Sequence, residues 1–223
     1  MRMKITAALA LGLACAGPPD APTIERESST EPAATRGAVV FLGTSLTAGY
    51  GVGADSAYPA VLQSMMDSAG LPFRVVNAGL SGETSAGGLR RLDWSLQQPI
   101  EILFLELGAN DGLRGLGTDQ MKDNLDAILA RTRARYPDSD LVIAGMEAPP
   151  NLGPEYTRAF RAVFANLAAK YDAVLIPFLL EGVAGQADLN QADRIHPSAA
   201  GHRAIARTIW PYLEPVLRSR RPN

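Results

Sequence analysis

From Gly37 onward the sequence alternates between two kinds of segment, and that alternation limits the folds open to it. Short runs rich in apolar and β-branched residues lie at 38–42 (AVVFL), 73–76 (FRVV), 100–107 (IEILFLEL), 140–145 (DLVIAG) and 173–177 (AVLIP). Between them, stretches with helical spacing of apolar residues lie at 58–69, 85–98, 119–136, 154–171 and 197–217. Continuously apolar strands belong to a sheet covered on both faces, and strands alternating with helices imply parallel crossovers. The expected fold is α/β: a three-layer α/β/α sandwich with a five-stranded parallel sheet in a flavodoxin-like order.

Local signals support the helices. In the third stretch Met121, Leu125, Ile128 and Leu129 share one face, with Asp123, Asp126, Arg131 and Arg133 elsewhere. Gly70 stands at the C′ position after the first stretch. Pro197 suits the first turn of the last one, and Pro211 and Pro215 predict a kink or break near Trp210.

The chain has 223 residues, 47% of them hydrophobic, enough for one substantial domain at 37–223. Lys and Arg number 21 against 23 Asp and Glu, so no basic stripe points to nucleic acid. The opening MRMKITAALALGLACAG sets two cations before an apolar run too short to span a bilayer, which reads as an export signal at 1–15. It ends at Cys15, the chain's one cysteine. Two readings stand: a lipoprotein signal with Cys15 lipidated, or ordinary cleavage after Ala16. Residues 16–36, rich in Pro, Ser, Thr, Glu and Ala, read as a disordered linker. The product is expected in the periplasm or anchored to a membrane of a bacterial envelope.

Ligands of open parallel sheets bind beyond the carboxyl ends of the strands. Here those ends lead into GTSLTAGYG after the first strand, NAGLSGETS after the second and GANDG after the third, and DRIH lies beyond the fifth. A serine hydroxyl is a weak nucleophile until an imidazole takes its proton, and the imidazole needs a carboxylate to fix its tautomer. Ser45, His196 and Asp193 supply these groups. The three-residue spacing lets Asp193 reach Nδ1 and leaves Nε2 for Ser45, while Pro197 holds His196 out of helical geometry. The backbone N–H groups of Ser45 and Gly82 and the amide of Asn110 suit an oxyanion hole.

In these blocks the chain resembles the SGNH, or GDSL, hydrolases, specifically the bacterial thioesterase, lysophospholipase and arylesterase subgroup. GTSLTAGYG is similar to the first block, VVNAGLSGETS to the second, LELGANDGLRG to the third and DRIHP to the last, over residues 39–217. The resemblance implies a serine esterase acting through an acyl-enzyme on Ser45, with Asp193 and His196 completing the triad and Gly82 and Asn110 the oxyanion hole. It implies a small-molecule ester substrate, with thioesters and lysophospholipids in range, and no cofactor. One position departs: Thr44 stands where the family has aspartate, which puts the hydrogen bonds of that turn in question. Two rivals share the fold, a carbohydrate acetyl esterase and a non-catalytic, surface-anchored binding domain.

Other residues carry plainer expectations. His202 reads as solvated or interhelical, and Asp111 as fixing its loop. Glu106 needs a partner near the rim, because an unpaired charge in an apolar strand is costly. The 112–117 segment reads as a mobile lid with Leu113 and Leu116 lining an acyl pocket, and the 148–153 loop as a second wall. No cluster has metal-ligand spacing.

Overall fold

The computed structural model describes residues 36–220. The export signal, Cys15 and the linker up to residue 35 lie outside the described residues. Five strands, β1 (Gly37–Gly43), β2 (Phe73–Gly79), β3 (Ile102–Glu106), β4 (Asp140–Ala144) and β5 (Val174–Ile176), form one sheet. Its order is β2-β1-β3-β4-β5 and every pairing is parallel. This is the flavodoxin-like order, whose switch point lies where β1 sends its neighbours to opposite sides.

Helices follow each strand. They are α1 (Ser45–Ala48), α2 (Tyr58–Ser68), α3 (Ser85–Arg90), α4 (Leu92–Ser95), α5 (Ala109–Leu113), α6 (Thr118–Arg135), α7 (Pro154–Tyr171) and α8 (Ala199–Ser219). α2 packs on α8, while α3 packs on α6 and α6 on α7, giving two helical layers around the sheet. Val39, Val40, Phe41 and Leu42 of β1 and Ile102, Leu103 and Phe104 of β3 are fully buried, which is why these runs are apolar without alternation. The Phe41 and Phe104 rings stack across the strands with centroids 4.6 Å apart. Gly70 takes φ +63 just past α2, as its C′ position requires.

Three local expectations are corrected. The 85–98 stretch is two short helices meeting at Arg91 (φ −100, ψ 7) rather than one. The guanidinium there donates to Glu83 and to the Gly43 and Ala78 carbonyls, and these contacts outweigh helix continuity. The last helix does not break near Trp210: α8 continues through Pro211 and Pro215. Both prolines sit on its exposed face, so the Arg207 and Pro211 carbonyls that lose N–H partners remain open to water. Ile205, Ile209, Leu213 and Leu217 meanwhile bury the opposite face. Pro197 precedes α8, whose N-cap is Ser198, its hydroxyl accepting from the Gly201 N–H at 3.3 Å.

Candidate active site

The turn from β1 into α1 presents Ser45 at the carboxyl edge of the sheet. Thr44 caps α1, its hydroxyl accepting from the Leu46 N–H, and Gly49 ends the helix in the left-handed region at φ +74. Beneath the turn lies Glu106, fully buried at the end of β3. Its carboxyl accepts from the Thr44 N–H at 2.8 Å, the Thr44 hydroxyl at 3.0 Å and the Thr47 hydroxyl at 2.8 Å. Thr47 also shares a hydrogen bond with the Tyr58 hydroxyl at 2.7 Å. These are the rim partners that Glu106 required, and Thr44 keeps a hydroxyl contact where the family has aspartate. Gly43 must lack a side chain, because a Cβ there would lie 2.0 Å from the Thr47 hydroxyl. Burial pushes the Glu106 carboxyl up to about 7 against the pull of all three donors.

Although 151 residues separate them, His196 Nε2 lies 3.0 Å from Ser45 Oγ. His196 Nδ1 lies 2.7 Å from Asp193 Oδ2. Asp193 Oδ1 accepts from the Ile195 N–H at 2.9 Å and the His196 N–H at 3.0 Å. The His196 N–H, then its imidazole, then the Ile195 N–H hold the Asp193 carboxyl down to about 2. An ionised carboxylate can only accept, so Nδ1 carries the proton and Nε2 accepts from the serine hydroxyl. Tyr50 lays its ring against the imidazole at 4.5 Å. Gln191 ties the two loops together, donating to the Tyr50 carbonyl at 2.7 Å and the Pro197 carbonyl at 2.9 Å.

Ser45, Gly82, Asn110 and His196 line one pocket of about 780 Å³. Asn110 donates one amide hydrogen to the Glu83 carbonyl at 3.0 Å, leaving the other available. Gly82 sits at φ +77, with its carbonyl accepting from Arg114 at 2.8 Å. Among the described residues no acceptor takes the Ser45 or Gly82 N–H. Three donors around the serine are what a developing oxyanion needs. The walls are mainly apolar, from Leu46, Tyr50, Leu113, Met146, Phe178 and Leu180, with Ala148, Pro149 and Pro150 forming the expected second wall.

The 112–117 expectation is revised in part. Leu113 lines the pocket as the last residue of α5, but Leu116 does not, and its carbonyl accepts from the Tyr156 hydroxyl at 2.6 Å. His202 is not solvated. It is fully buried between α8 and α2, where its Nδ1 accepts from the Tyr58 N–H at 3.2 Å and burial pushes it down to about 4. Asp111 holds the start of α3, accepting from the Ser85 N–H at 2.8 Å and hydroxyl at 2.6 Å. Sequence reasoning missed Tyr50, Gln191, Arg91, Met146, Phe178 and Leu180. Tyr50 sits inside the first quoted block and Gln191 two residues before the last, but nothing local distinguishes them from loop residues. Among the described residues no group of three His, Cys, Asp or Glu side chains could hold a metal ion.

A serine, an imidazole and a carboxylate in one hydrogen-bonded line, set on the rim of a flavodoxin-like sheet, define the class of α/β/α serine hydrolases. The GDSL-like lipase/acylhydrolase family model matches residues 41–204, and the chain belongs to that family. It is a GDSL-type ester hydrolase. It is 39% identical to esterase TesA of Pseudomonas aeruginosa over 80% of this chain and 89% of the relative. It is 37% identical to thioesterase 1/protease 1/lysophospholipase L1 of Escherichia coli K12 over 83% of this chain and 87% of that one. Among solved structures, psychrotrophic esterase EstA from Pseudoalteromonas sp., inhibited by monoethylphosphonate, matches with a TM-score of 0.76 at 33% identity, covering 81% of this chain and 98% of EstA.

Proposed function

We propose that Ser45 is the nucleophile, His196 the general base and acid, Asp193 its orienting carboxylate, and Ser45 N–H, Gly82 N–H and Asn110 the oxyanion donors. The observation carrying this reading is the unbroken line from Asp193 through His196 to Ser45, opening on an apolar pocket. Ser45 Oγ attacks the ester carbonyl while its proton passes to Nε2, and the oxyanion forms where the three donors point. As the tetrahedral intermediate collapses, the imidazolium returns that proton to the departing alcohol, leaving an acyl-enzyme. Water, deprotonated by the same imidazole, then releases the acid. Asp193 stays ionised throughout and supports the imidazolium.

The apolar walls favour an aliphatic or aromatic acyl group. Carboxylic esters with short-chain or aryl components are the proposed substrates, with thioesters and lysophospholipids following from the activities named for the Escherichia coli relative. For location, we infer export by residues 1–15 to the periplasm or, through a lipidated Cys15, to an envelope membrane; the mass of the mature N-terminus separates the two. A fluorophosphonate reagent tests the mechanism. It should label the protein in a 1:1 ratio, and Ser45→Ala should lose both labelling and p-nitrophenyl ester hydrolysis while melting at an unchanged temperature. Labelling that survives in Ser45→Ala would remove the assignment.

A further inference from the structure

Arg194, between the orienting carboxylate and the imidazole, has a backbone that asks for a different residue. It takes φ +60 in the left-handed region, and the one other such non-glycine among the described residues is Asp172, the C-cap of α7. Aspartate tolerates that region by local hydrogen bonding, whereas a long unbranched side chain gains nothing from it and glycine is the low-cost occupant. The triad loop imposes the conformation. The Arg194 N–H closes a turn on the Gln191 carbonyl at 2.9 Å, and the next two N–H groups, of Ile195 and His196, converge on Asp193 Oδ1. An arginine at a backbone position that favours glycine points to a use for its side chain.

A second, independent observation says what that use is. Arg194 lines the mouth of the reaction pocket beside Ile195 and His196. Among the described residues no carboxylate pairs with it, and both oxygens of neighbouring Asp193 are already engaged. The pocket's acidic residue, Glu147, is itself neutralised by two hydrogen bonds of 2.7 Å from Arg161. Arg194 is therefore a cation with no direct ion-pair contact at the edge of an otherwise apolar cavity.

We propose that Arg194 recognises an anionic group, of the phosphate class, on the leaving-group side of the ester; this rests on the hydrolase reading of Ser45 and His196. The side follows from the chemistry. His196 must deliver its proton to the leaving oxygen or sulfur, so that part of the substrate lies against the imidazole, next to Arg194. The acyl group occupies the apolar walls. A guanidinium offers paired N–H donors matched to phosphate oxygens, and a charge at a pocket rim acts on capture and on its salt dependence.

The test compares butanoyl esters of p-nitrophenol and of 4-nitrophenol-2-sulfonate, which share an acyl group and differ in leaving-group charge. In Arg194→Gly and Arg194→Gln, the ratio of kcat/KM for the anionic over the neutral ester should fall about 5- to 20-fold, the scale of one charged hydrogen bond reduced by solvent screening at the exposed rim. The decline of that ratio with rising salt should flatten in both variants and persist in Arg194→Lys. Arg194→Gly relaxes the backbone, so its melting temperature should not drop, and Arg194→Gln keeps the strain while removing the charge. An unchanged ratio overturns the proposal whatever happens to the overall rate. Failure of the hydrolase reading would look different, as turnover of both esters surviving Ser45→Ala. Butanoyl-coenzyme A and butanoyl glycerol 3-phosphate carry phosphate from two sources. The source Arg194 serves is the one whose kcat/KM falls in Arg194→Gly, and a fall in neither also overturns it.

Discussion

Thr44 and Glu106 show how much one position can decide. With aspartate at position 44, as in the family's first block, two carboxyls would face each other under the Ser45 turn. Threonine instead offers hydroxyl and backbone donors to a single buried acid. That acid's value, about 7, lies above the 4.5 of an exposed glutamate. Between those limits the folded protein binds more protons at this site than the unfolded chain, so its contribution is complete below 4.5 and is lost as pH rises through about 7. His202 acts with the opposite sign. Its value falls from 6.5 to about 4, so its contribution is present above 6.5 and is lost as pH falls through about 4. Glu106→Gln should therefore be compared with wild type by urea denaturation at pH 4.5 to 8. The stability advantage of wild type should shrink by up to about 3 kcal/mol as pH rises through that window. A constant difference would mean that Glu106 does not titrate there. In the sequence Glu106 was visible as an anomaly in an apolar run. Its partners were not, because Thr44 and Thr47 lie about 60 positions away and nothing local links a strand end to a turn across the sheet.

At the scale of elements, the break between α3 and α4 exists to place Arg91. From it one guanidinium reaches the Glu83 carboxylate at 2.6 Å, the Ala78 carbonyl, one residue before the end of β2, at 2.8 Å and the Gly43 carbonyl ending β1 at 3.3 Å. The loop carrying Gly82 is thus fastened to two strand ends on one side, and Asn110 and Arg114 fasten it on the other. Arg91→Met leaves Glu83, 8% exposed, as a nearly buried unpaired charge. The expected cost is about 2–3 kcal/mol, below the full figure for a buried pair because Arg91 is partly accessible. Arg91→Met with Glu83→Gln should recover part of that stability while kcat stays depressed, since the loop has lost its anchor. Urea midpoints and steady-state rates on the same samples separate the two effects. Periodicity suggested one helix here because Leu89, Leu92 and Leu96 recur at helical spacing across the break. The break is set by tertiary hydrogen bonds, which outweigh the modest preference for helix continuation.

The whole molecule contributes the pocket, which no single element contains. Its walls come from the segments that follow all five strands, and the segment 178–185 after β5 closes one side with Phe178, Leu180, Ala184 and Gly185. Ala184 is exposed on this wall, so Ala184→Trp should narrow the cavity without disturbing the core. Turnover of p-nitrophenyl butanoate should persist, while kcat/KM for the decanoate falls about tenfold or more, as expected from blocking several buried methylenes. An unaltered chain-length profile would place the acyl group elsewhere.

By itself the sequence determined the strands and main helices, the parallel sheet, and the rim where serine, glycine, asparagine, aspartate and histidine collect. Those features follow from local periodicity and from the rule that strand ends carry the chemistry, and both are written along the chain. The tertiary structure alone decided that Ser45 and His196 meet at 3.0 Å, that Glu106 is held by two threonines, that α8 runs through its prolines, and which apolar residues wall the pocket. Such contacts join residues far apart in sequence. They are fixed by how both helical layers close on the sheet, and apolar spacing reports only that a residue is buried, not what it is buried against.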